Sequence, residues 1–106
     1  MGLFDFLGSS GGRIPSSAPS PDTKHELLLY KYDSCPFCRR VFRSIDQLGL
    51  DVPTADIQRD PANRAELARV AGRTTVPCLF IDGQPLFESA DIVAWLTAYA
   101  EAGAKA

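Results

Sequence analysis

The chain is poor in several residues that would give it away. Its 106 residues include three cysteines, one histidine, one methionine and one tryptophan. Three cysteines, an odd and small number, argue against a disulfide-stapled secreted scaffold. A tetrahedral zinc site needs four ligands. The one closely spaced pair, Cys35 and Cys38, leaves only Cys78 and His25 to complete such a set, so no metal is expected. Neither sign of charge dominates: 11 Lys and Arg stand against 13 Asp and Glu, a net charge of −2. That gives no electrostatic reason to expect nucleic acid as a partner. No stretch approaches the roughly 20 apolar residues of a membrane span. The N-terminus lacks the basic start and apolar run of a secretory signal. Gly2 is present, but Phe6 stands where a myristoylation site has Ser or Thr. A reducing, cytoplasmic setting is expected.

What is there suits one soluble domain. Hydrophobic residues make up 45% and charged residues 23%, enough for a single packed core without staples. Residues 8–23, GSSGGRIPSSAPSPDT, carry few apolar groups to offset their ordering entropy. The expected organisation is therefore a flexible tail over residues 1–25 and a folded domain over 26–102. Leu3, Phe4, Phe6 and Leu7 at the extreme N-terminus read either as a mobile end or as a short sticky turn that touches a partner.

Within the domain the pattern alternates. ELLLYKY (26–32) reads as a buried strand. Pro36 suits the first turn of a helix, Val41, Phe42, Ile45 and Leu48 recur at helical spacing, and Gly49 stops the run. DVPTADI (51–57) is a second strand, with Pro53 at its start or on an exposed edge. Asp60 before Pro61 is a helix N-cap, and Gly72 closes that helix. VPCLFID and QPLFE meet at Gly83 as a hairpin. Ser89 is expected to cap a last helix striped by Ile92, Val93, Leu96 and Tyr99. The order βαβαββα predicts a four-stranded mixed α/β sheet flanked by three helices. Its first two strands lie parallel across a right-handed crossover.

Cys35 falls where the first strand ends and a helix begins. A helix N-terminus offers unpaired N–H groups and the positive end of the dipole, both of which favour thiolate over thiol. In such a place a cysteine pKa falls from about 8.5 into a range of roughly 3.5–7.5, so Cys35 is the candidate nucleophile. Cys38, one turn on, is placed to attack a mixed disulfide formed at Cys35 and release the bound thiol. Pro36 restrains the intervening loop. Phe37 is expected to shield one side of the pair while Cys35 stays at the surface. The bland alternative is two inert, half-buried cysteines.

Four stretches together resemble a known family: CPFC (35–38), AGRTTVP (71–77), LFIDGQPL (79–86) and ESADIVAWL (88–96). Over about residues 26–100 the chain resembles glutaredoxins, of the thioredoxin-fold superfamily. The resemblance implies a thioredoxin/glutaredoxin-like fold and a glutathione-dependent dithiol–disulfide oxidoreductase, with glutathione as co-substrate. Disulfide-containing or glutathionylated proteins are its implied partners. It makes Cys35 the nucleophile, Cys38 the resolving cysteine, and Pro77 a cis-proline after Val76, whose backbone pairs with glutathione. Phe37, Arg73, Glu88, Ser89 and Asp91 complete the implied glutathione contacts. A helix N-terminus holding a carboxylate gives the Ser89–Asp91 assignment a physical reason.

The chain departs from that pattern in two places. Phe87 and Glu88 stand where most glutaredoxins have a Gly-Gly pair, and PLFESADIVAWL is similar to the N-terminal domain of glutathione S-transferases. Tyr32 stands where many glutaredoxins carry a lysine. Lys31 points to the other face of the strand and does not replace it. Two alternatives follow: a non-catalytic glutathione- or iron–sulfur-binding module, and a protein like the N-terminal half of a glutathione S-transferase. Cys78 reads as a small hydrophobe in its strand. Arg39, Arg40 and Arg43 read as a solvated face or as steering charges for an anionic partner. A monomer is expected.

Overall fold

The computed structural model describes residues 13–103; the apolar MGLFDFL stretch lies outside them. Four strands form one sheet in the order β2-β1-β3-β4. They are β1 (Leu27–Lys31), β2 (Thr54–Asp56), β3 (Cys78–Ile81) and β4 (Gln84–Leu86). β1 runs parallel to β2 and antiparallel to β3, and β3 pairs with β4 as an antiparallel hairpin. Three helices complete the expected order: α1 (Pro36–Leu48), α2 (Pro61–Ala71) and α3 (Ser89–Glu101).

Side-chain alternation along the strands makes two cores. Leu27, Leu29, Leu79 and Ile81 face α1 and α3, where they meet Val41, Ile92, Trp95, Leu96 and Tyr99. Tyr30, Cys78 and Phe80 point the other way and pack with Ala55, Ile57 and Leu67 under α2. Helix ends follow local chemistry. Asp60 accepts the amide of Ala62 to start α2. Gly49 and Gly72 end α1 and α2 with φ of 70° and 79°, a left-handed conformation that glycine adopts at no steric cost.

Two expectations change. The last helix does not use Ser89 as its cap. Ser89 is its first residue, and Glu88 precedes it with φ of 73° and no side-chain cap bond. A left-handed turn at a non-glycine residue is not written in helix periodicity. The second concerns the expected tail. Residues 13–25 hold no helix or strand but pack on the domain. Trp95 donates its indole N–H to the Pro19 carbonyl at 2.7 Å, and the amide of His25 donates to the Tyr99 hydroxyl at 3.0 Å. Ala18 leans on the α1/α3 core. A buried Trp N–H and Tyr O–H require partners, and this strap's backbone supplies them.

A candidate dithiol active site

Cys35 is the N-cap of α1. Its backbone is extended (φ −74°, ψ 120°), and its Sγ accepts the amide of Cys38 at 3.5 Å. The Cys35 carbonyl accepts the amide of Arg39. The loop reaches this position because Cys35 N–H bonds to the Tyr32 carbonyl at 3.3 Å, and Pro36 occupies the first helical position, where no N–H is needed. The sulfur thus lies against the positive end of a 13-residue helix, an arrangement that favours negative charge on it.

The two cysteines differ sharply. Cys38 is fully buried, and burial pushes its thiol up to about 12, with the charge of Cys35 acting in the same direction. Cys35 itself is not at the surface as expected but 4% exposed, while Phe37 is 63% exposed. The N-cap role explains the reversal: Sγ turns back over the first turn to meet the Cys38 amide, and Phe37 projects outward. Cys78 lies across the sheet in the second core, fully buried, and burial pushes its thiol up to about 12 as well. It fills space there, as the sequence suggests.

Phe37, which stands between the two cysteines in sequence, lines a cleft of about 210 Å³ together with Thr75, Val76, Pro77, Glu88 and Ser89. The Val76–Pro77 peptide bond is cis. Five residues singled out from the sequence therefore come together here. Two do not. Arg73, one of the implied glutathione contacts, stacks its guanidinium 3.8 Å from the centre of the Phe87 ring. That contact ties the loop before β3 to the loop before α3. Asp91 sits in the first turn of α3 but turns away, accepting the amide of Arg13 at 3.0 Å.

A second cleft, of about 470 Å³, is lined by Tyr32, Ile57, Gln58, Pro61, Arg64 and Thr74. Thr74 adjoins Thr75 of the first cleft, and Tyr32 adjoins the cysteine loop. Negative charge on Cys35, more than partial burial, pushes the Tyr32 phenol above its usual range, so its hydroxyl stays protonated beside the sulfur. Gln58 and Arg64 were not singled out from the sequence. The available signal was position: both follow β2, whose carboxyl end lies beside that of β1, where α/β sheets bind ligands. Other basic side chains nearby are engaged. Lys31 bonds Asp33 at 2.6 Å and Asp56 at 3.4 Å, and Arg59 also reaches Asp33. Arg39, Arg40 and Arg43 are exposed. Among the described residues, no group of three or more His, Cys, Asp or Glu side chains converges as a metal site would require.

A four-stranded mixed sheet with three helices and a dithiol at the first helix N-terminus defines a thioredoxin-fold thiol–disulfide protein. A family model described as Glutaredoxin matches residues 27–86, and the chain belongs to the glutaredoxin family. Glutaredoxin-C4 of Arabidopsis thaliana is 30% identical over 91 residues, covering 76% of this chain and 67% of that protein. Glutaredoxin 3 of Escherichia coli K12 is 33% identical over 66 residues, 62% of this chain and 80% of that one. Among solved structures, a buckwheat glutaredoxin–glutathione complex superimposes with a TM-score of 0.61 at 26% identity, covering 77% of this chain and 83% of its own. Membership of the family carries a thiol–disulfide oxidoreductase role.

Proposed function

We propose that this glutaredoxin reduces disulfides at the expense of glutathione through its CPFC pair, acting chiefly on mixed disulfides between glutathione and proteins. The observation that carries this reading is the Cys35 sulfur held by the Cys38 amide at the N-terminus of α1, with Phe37 of the same turn lining a cleft shared with cis-Pro77 and the start of α3.

The Cys35 thiolate attacks the glutathionyl sulfur of the mixed disulfide. The old S–S bond breaks, the protein leaves as a thiolate that takes a proton from water, and glutathione remains joined to Cys35. A second glutathione, as thiolate, attacks the glutathionyl sulfur. Glutathione disulfide departs and the Cys35 thiolate returns. One free glutathione is consumed for each mixed disulfide reduced, the other half of the glutathione disulfide coming from the substrate. The alternative exit, attack by Cys38 to close a Cys35–Cys38 disulfide, requires a fully buried thiol, held protonated chiefly by that burial, to lose its proton. It is the slower branch.

In this reading glutathione lies across both clefts. Its glutamyl end meets Glu88 and Ser89 at the start of α3, and its glycyl carboxylate meets Arg64 and Gln58. Arg64 takes the part that lysine plays in relatives with Lys at the Tyr32 position. Glu88 faces the glutamyl ammonium, since Asp91 is turned to Arg13. Arg64→Ala and Glu88→Gln should each raise KM for glutathione about tenfold with kcat nearly unchanged, because each contact is made before and during the transition state alike. Unchanged KM in both variants contradicts this placement. The reaction as a whole is tested by a disulfide-reduction assay coupled to glutathione and glutathione reductase, beside one coupled to thioredoxin reductase. Turnover only in the second moves the protein to a thioredoxin-type electron supply. A reducing cytoplasmic setting and a monomer fit this cycle.

A further inference from the structure

The single histidine lies at the point where the strap of residues 13–25 enters β1. Both nitrogens of its ring face acceptors. Nδ1 lies 2.5 Å from Oδ2 of Asp82, in the turn between β3 and β4. Nε2 lies 2.6 Å from the carbonyl oxygen of Ser20, in the strap. A carbonyl oxygen can only accept, and a carboxylate oxygen can only accept. Both short contacts are hydrogen bonds at once only when the ring carries two protons. A neutral ring with Nδ1–H keeps Asp82 and turns a lone pair toward the Ser20 carbonyl; the Thr23 hydroxyl, 3.3 Å from Nε2, is then its only donor.

We propose that His25 is a proton-operated latch: as imidazolium it pins the strap to the β3–β4 turn, and on deprotonation it releases Ser20 and the segment running back from it. The neighbouring bonds show what is released. The strap holds the Trp95 indole N–H through Pro19, and at its far end the Arg13 amide holds Asp91, two residues beyond Ser89 of the cleft. Asp82 has a second task, accepting the Glu26 amide at 2.8 Å, so the turn stays fixed while the strap moves. The rings of Trp95 and Tyr99 flank the imidazole at 5.7 and 6.1 Å. The charged and titratable groups around it are Asp82 from the turn, Tyr99 from α3, Asp51 from the loop after α1, and Asp22, Lys24 and Glu26 along the strap and its junction with β1.

The direction of the pH effect follows from linkage. The bond to Asp82, foremost, raises His25 above its usual 6.5, and the same bond lowers Asp82 below its usual 3.8. The His25 contribution is complete below pH 6.5 and is lost as pH rises through the raised folded value. The Asp82 contribution is complete above pH 3.8 and is lost as pH falls through the lowered folded value. The latch is closed between these limits and opens on the alkaline side first.

The protein contains one tryptophan, and it is the residue the strap covers. Emission of Trp95 in the full chain should shift to longer wavelength in a step as pH rises above 6.5. Its midpoint should coincide with the His25 ring titration followed by NMR. His25→Gln, whose amide can donate to Ser20 without a titration, should show no step. A flat Trp95 emission across the measured His25 titration overturns the latch, as does an identical step in the variant. Neither outcome bears on the thiol chemistry, which the coupled assays test separately.

Discussion

Cys35→Ser should lose glutathione-coupled disulfide reduction by on the order of 10³-fold or more, as removal of an essential nucleophile does. Cys38→Ser should retain reduction of a glutathione mixed disulfide within about threefold. The asymmetry comes from one turn of helix. Cys35 caps α1 and takes an N–H on its sulfur, which stabilises charge there. Cys38 lies inside that turn, fully buried, where charge is penalised and the thiol is pushed up to about 12. A hydroxyl in place of Cys35 lies at the same helix end, but its alkoxide is far too basic to form there. Removing Cys38 takes away only the slower exit from the glutathionylated intermediate. Steady-state rates with a glutathionylated peptide measure both variants. Loss of activity in Cys38→Ser comparable to that in Cys35→Ser means that the cycle runs through the Cys35–Cys38 disulfide.

Trp95→Ala should cost about 3–5 kcal/mol, the usual range for emptying a large aromatic site in a core. Trp95 is fully buried, stacks on Tyr99 with ring centres 4.7 Å apart, and packs with Leu29, Leu79 and Leu96 between the sheet and α3. Such a loss is a large part of the stability of a domain this size. The indole also anchors the strap through Pro19, and Trp95→Phe separates the two roles. It keeps most of the packing and removes the N–H, so it should cost about 1–2 kcal/mol. Denaturant midpoints at constant m-value give both numbers. A loss below about 1 kcal/mol for the alanine variant means that the strap and α3 do not form the joint core described above.

The sequence was most legible where local chemistry decides structure. Asp60, Gly49 and Gly72 mark helix ends because a capping carboxylate and a left-handed glycine act on their immediate neighbours. The same holds for Cys35 at the head of α1, with Pro36 fixing the first turn. The strap was not legible. Its Ser, Pro and Gly residues show no period, and what holds it is backbone bonded to Trp95, Tyr99 and His25, partners up to 76 residues away along the chain. Half of that signal was present, since a core Trp and Tyr need polar partners, but their identity was not. Glu88 was illegible because its positive φ belongs to no propensity scale. The second cleft was illegible because Tyr32, Gln58, Arg64 and Thr74 come from four separate segments that only the sheet order brings together. The stacking of Arg73 on Phe87 was illegible because nothing in the sequence position of Arg73 shows that Phe87 lies beneath it.

The central claim is that one sulfur of three is the reactive one. Brief exposure of the reduced protein to a small alkylating reagent at neutral pH, followed by peptide mass spectrometry, reads this directly. The account predicts that Cys35 is modified first and nearly alone, with Cys38 and Cys78 labelled only after unfolding. Labelling of Cys38 or Cys78 at a rate equal to that of Cys35 would contradict it.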